Sequence, residues 1–68
     1  MKGWFKLYKT SDLAEANIIK GMLEENEVPV LILNKQDSSR LFFGYIELYV
    51  PEALKNTAQE LMNKARLN

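Results

Sequence analysis

The chain has 68 residues, nine Lys plus Arg balanced by nine Asp plus Glu, and neither cysteine nor histidine. That length allows one domain of about the smallest independently folding size, so a single unit over residues 1–68 is predicted. The missing Cys and His exclude disulfide bracing and the usual transition-metal ligands, and the cancelling charges remove the basic field that selects nucleic acid or an anionic membrane.

Residues 4–10 alternate, with Phe5 and Leu7 on one side and Trp4, Lys6 and Tyr8 on the other, a period of two that predicts a strand. Thr10-Ser11-Asp12 ends it. Asp12 or Ser11 is the predicted N-cap of a helix with Glu15 as reciprocal partner, and Leu13, Ala16, Ile19 and Leu23 form its apolar stripe, widened by Ile18 and Met22. Gly21, inside that helix, is expected to serve close packing on the sheet or on a neighbour. Asn26 is the predicted end. Val28-Pro29-Val30-Leu31-Ile32-Leu33 then reads as a second strand, with Val28, Val30 and Ile32 on one face and Leu31 and Leu33 on the other. A strand apolar on both faces is expected to be covered on both.

The loop from Asn34 to Gly44 begins polar and turns apolar at Leu41-Phe42-Phe43. Tyr45 to Val50 alternates again, Ile46, Leu48 and Val50 against Tyr45, Glu47 and Tyr49, which predicts a third strand. Pro51 suits the first position of a second helix and Glu52 suits its positive end, with Leu54, Ala58, Leu61 and Ala65 lining one face beside Met62.

The order strand, helix, strand, strand, helix is that of an α+β ferredoxin-like βαββα sandwich with its last strand absent. It predicts an antiparallel three-stranded sheet, the third strand in the middle, with both helices on one face. Two consequences follow for association. The outer edge of the first strand is left open, blunted in part by Lys6 and Lys9. The sheet face away from the helices has no covering layer, yet alternation sends Trp4, Tyr8, Leu31, Leu33, Tyr45 and Tyr49 to it.

Several stretches resemble a family of small bacterial proteins described as putative prokaryotic signal-transducing proteins, related in fold to the PII-like (GlnB-like) regulators. They are the tyrosine-ended first strand, Glu15-Ala16 with Ile19-Lys20-Gly21 and Leu23-Glu24 on the first helix, Val28-Pro29, and Ile46-Glu47-Leu48-Tyr49-Val50-Pro51. The resemblance spans nearly the whole chain and implies a ferredoxin-like fold that associates through its sheet in a regulatory or adaptor role. In PII-like proteins the effector-responding loop joins the second and third strands, which corresponds here to residues 34–44. This loop is shorter and lacks a phosphate-binding glycine cluster, so nucleotide binding is not implied.

The inventory for catalysis is poor. Ser38 and Ser39 have no histidine to act as base. Asp37 and Glu47 show no pattern that would perturb their acidity, and Glu24, Glu25 and Glu27 lack the converging oxygens a calcium ion needs. No enzyme activity, cofactor or metal is expected. Phe43-Gly44-Tyr45-Ile46-Glu47-Leu48 partly overlays an RNA-recognition motif, but Leu41 and Phe42 stand where a basic residue and a glycine belong and Leu48 where an aromatic belongs.

The expectation is therefore a regulatory interaction module that forms a homodimer, or a slightly larger ring, through Trp4, Tyr8, Leu31, Leu33, Tyr45 and Tyr49. Arg40, Leu41, Phe42 and Phe43 would meet a variable protein partner. The alternatives are a single-stranded RNA binder using the same aromatic face and a small-effector sensor. The Met1-Lys2-Gly3-Trp4 opening has no apolar signal core and no apolar run reaches 18 residues, which predicts a cytoplasmic protein without a membrane span.

Overall fold

Ile46, Leu48 and Val50 lie on one side of the strand that takes the middle of the sheet, and all three are fully buried. The computed structural model describes residues 2–34 and 44–66. Its elements are β1 (Trp4–Thr10), α1 (Leu13–Glu25), β2 (Leu31–Asn34), β3 (Ile46–Pro51), a 3-10 turn (Glu52–Leu54) and α2 (Lys55–Arg66). The sheet order is β1-β3-β2 with both pairings antiparallel, as the βαββα order predicts. Ala16, Ile19 and Leu23 of α1 and Ala58 and Met62 of α2 join Val28 and the three β3 side chains in one core. Each large side chain so buried contributes about 1.5–3 kcal/mol.

Local chemistry sets the limits of α1. Asp12 is its N-cap, Oδ1 accepting from the backbone N–H of Ala14 at 2.9 Å and of Glu15 at 3.3 Å. Glu15 does not return the favour as a capping box would. The Asp12 N–H donates instead to Thr10 Oγ1 at 3.0 Å, while the Glu15 carboxylate accepts from the Tyr8 hydroxyl at 2.9 Å and the Thr10 hydroxyl at 2.6 Å. These bonds tie the end of β1 to the first turn of the helix. At the other end Asn26 caps α1, its Nδ2 donating to the Met22 carbonyl at 2.8 Å.

Glu27 then adopts φ 66°, and the N–H of Val28 reaches back to the Leu23 carbonyl at 2.9 Å. This reversal drops Val28 into the core, so β2 starts at Leu31 and not at Val28 as expected. A non-glycine residue in the left-handed region is disfavoured by roughly 1–2 kcal/mol. Glu27→Gly is expected to stabilise the chain by about 0.5–1 kcal/mol, raising the thermal midpoint by about 2–8 °C in a calorimetric scan.

Pro51 stays extended at ψ 139° and ends β3 opposite Trp4, and the Glu52 N–H donates to the Gly3 carbonyl at 3.0 Å. Helix α2 therefore begins after the 3-10 turn, later than Pro51 suggested. Leu54, Ala58, Leu61 and Met62 reach the core as expected, but Ala65 is exposed. On α1, Leu13 is 50% and Ile18 71% exposed, outside the stripe assigned to them. A Cβ at Gly21 would meet no atom within 4 Å, so close packing within the chain does not account for this glycine.

Candidate functional site

One extra residue in β1 decides which side chains reach the sheet face away from the helices. The β1–β3 register runs Trp4 to Pro51, Phe5 to Val50 and Lys6 to Tyr49, then resumes with Tyr8 to Leu48, Lys9 to Glu47 and Thr10 to Ile46. Leu7 is the bulged residue. Past it the parity of the strand is reversed, because two residues of β1 oppose one step of β3. Tyr8, expected on the outer face, therefore lies on the helix side: it shares a level with Leu48, packs against the core and donates to Glu15. Lys9 moves to the outer face in its place.

Of the six residues assigned there from sequence, the register places Trp4, Leu31, Leu33 and Tyr49 on that side, and Tyr45 continues the outer side of β3. Tyr45 is 50% and Leu31 36% exposed, and Trp4, Leu33 and Tyr49 are half-buried. The face is laterally graded. Along β1 it carries Lys6 and Lys9, along β3 Tyr49, Glu47 and Tyr45, and along β2 Leu31 and Leu33. Asp37, Ser38, Ser39 and the proposed partner residues Arg40, Leu41, Phe42 and Phe43 lie outside the described residues.

At the centre of this face sits a carboxylate that is only 6% exposed, Glu47. The Tyr49 hydroxyl donates to its Oε1 at 2.9 Å and the Lys6 ammonium lies 3.2 Å from its Oε2. Lys9, although directly across from Glu47, places its ammonium 4.6 Å from the centre of the Tyr45 ring. Both oxygens of Glu47 are thus engaged by side chains of β1 and β3. No group of three or more potential metal-ligating side chains occurs among the described residues, and no helix among them is long and apolar enough to cross a membrane. Sequence reasoning missed the Glu47 cluster. The available signal was a lone acid alternating with apolar residues on the central strand, with two lysines on the strand beside it.

The chain belongs to the family described as putative prokaryotic signal transducing protein, whose model matches residues 4–66. No curated protein and no solved structure matches it.

Proposed function

We propose, from this membership and the sheet face that no described element covers, that the chain is a non-enzymatic regulatory interaction module that self-associates through that face. The observation that carries the reading is the set of Trp4, Leu31, Leu33, Tyr45 and Tyr49 on a side with no second layer among the described residues. Aromatic residues with a polar handle are enriched at protein contacts because they bury much area and still satisfy a hydroxyl or indole N–H. The dimensions agree: the chain is a slab 36 × 33 × 15 Å.

The same face is poorly suited to RNA. Its centre is an anion, and Lys9 already covers one face of the Tyr45 ring, where a base would have to stack. Two lysines against one carboxylate give little field to hold phosphates.

Light scattering after size exclusion tests the reading. At about 100 µM, a concentration that reveals weak association, wild type is expected to exceed the mass of one 7.9 kDa chain. Tyr45→Lys, alone and with Tyr49→Lys, is expected to form a smaller assembly with an unchanged circular dichroism spectrum. Equal masses for wild type and both variants would remove the outer face from the association.

A further inference from the structure

We infer that the chain has a second association surface, the outer edge of β2, which pairs antiparallel with β2 of another copy to join two chains into one six-stranded sheet. The order β1-β3-β2 leaves two strand edges, and they are built differently. The β1 edge carries a bulge at Leu7 and two exposed lysines, Lys6 and Lys9. Bulges and edge lysines are the devices by which sheets resist edge-to-edge pairing. The β2 edge has neither. Leu31, Ile32 and Leu33, the residues the pairing uses, face β3 in unbroken register and none is charged. No other strand covers that edge among the described residues.

The edge suits a second copy as the occupant, because its sequence is apolar in both directions about Ile32 and self-pairing keeps the charged strands apart. Pairing β1 with β1 would set lysines against lysines at about 5 Å. Pairing β2 with β2 sends the two lysine-bearing strands to opposite rims, five strand spacings or about 24 Å apart, well beyond a screening length of about 8 Å. A twofold axis at Ile32 sets Leu31 of each chain opposite Leu33 of the other, an apolar cross-strand pair on the outer face. Pro29, which has no N–H to give, lies just before the strand and keeps the pairing short.

This surface does not depend on the outer-face reading, and cross-linking separates the two. The chain has no native cysteine, so Leu31→Cys and Leu33→Cys proteins can be mixed in equal amounts under mild oxidation. Edge pairing brings these Cα atoms to about 4.5–5.5 Å, within disulfide range, whereas sheets packed face to face lie about 10 Å apart. The 31–33 heterodisulfide is expected to exceed, by about tenfold, both the homodisulfides and the product of a Lys6→Cys with Lys9→Cys mixture. It should persist when Tyr45→Lys and Tyr49→Lys are added. Hydrogen exchange at β2 amides should slow with protein concentration while β1 amides stay unchanged. No excess of the 31–33 product, or an excess lost in the Tyr45→Lys, Tyr49→Lys background, overturns the edge pairing; the mass measurements judge the outer face separately.

Discussion

Leu48→Ala is expected to cost about 3–4 kcal/mol of folding stability, in the middle of the range for emptying a fully packed leucine site. Leu48 is 0% exposed on the central strand, level with Tyr8 on one side and Ile32 on the other. The two neighbouring strands therefore flank the void, and each is already fixed by its ladder with β3, so the site has little room to collapse. A domain of this length has a total stability of about 3–10 kcal/mol, so the loss is a large share of the whole. With a denaturant slope of about 1 kcal/mol per molar in urea, the midpoint should fall by about 3–4 M. Ile18→Ala removes a similar aliphatic mass from a position 71% exposed and should change stability by less than about 0.5 kcal/mol. Equal midpoints for the two variants would contradict the core as described.

The contrast between Leu48 and Ile18 also shows how far the sequence could be read. Period-two alternation in β3 was enough to assign Ile46, Leu48 and Val50 to the core, because nothing interrupts that strand. On β1 the same rule failed at Tyr8. A bulge leaves no mark in hydrophobic pattern when the inserted residue is itself apolar, as Leu7 is, and the residue count alone cannot show that two positions oppose one. The stripe on α1 was read too wide for a related reason. An isoleucine fits a helical period within a residue or so, while the narrow contact with the sheet accepts only Ala16, Ile19 and Leu23 as buried positions.

The end of α1 illustrates a different limit. Asn26 was legible as a cap, but the left-handed turn at Glu27 was not, since nothing about glutamate signals φ 66°. That turn, and the Pro29 behind it, shortened β2 from the six residues expected to Leu31–Asn34. The outer face was legible in outline, as four of its six assigned residues lie there by register and Tyr45 beside them. Its electrostatic centre was not legible, because a glutamate in an alternating strand ordinarily points to water.

Glu47→Ala is expected to destabilise the chain by about 2–3 kcal/mol, chiefly from the packing volume lost at a nearly sealed position. Glu47→Leu should cost far less, within about 1 kcal/mol of wild type. An apolar residue of similar volume refills the space, and the remaining partner can return to water. Lys6 makes that possible, since half of its side chain is already exposed while Glu47 is nearly sealed. The opposite cut is the costly one: Lys6→Met removes a cation from a buried carboxylate and should lose about 1–3 kcal/mol. Urea titration of the three single variants and of Lys6→Met with Glu47→Leu checks the order. In the double variant most of the Lys6→Met penalty should vanish, because no buried anion remains to be compensated. If Glu47→Leu proves as damaging as Glu47→Ala, the carboxylate contributes to folding beyond its volume. If it folds normally and yet alters the assembly mass, the cluster acts in choosing how the outer face is covered, which is the role a buried charge has at the centre of an otherwise oily contact.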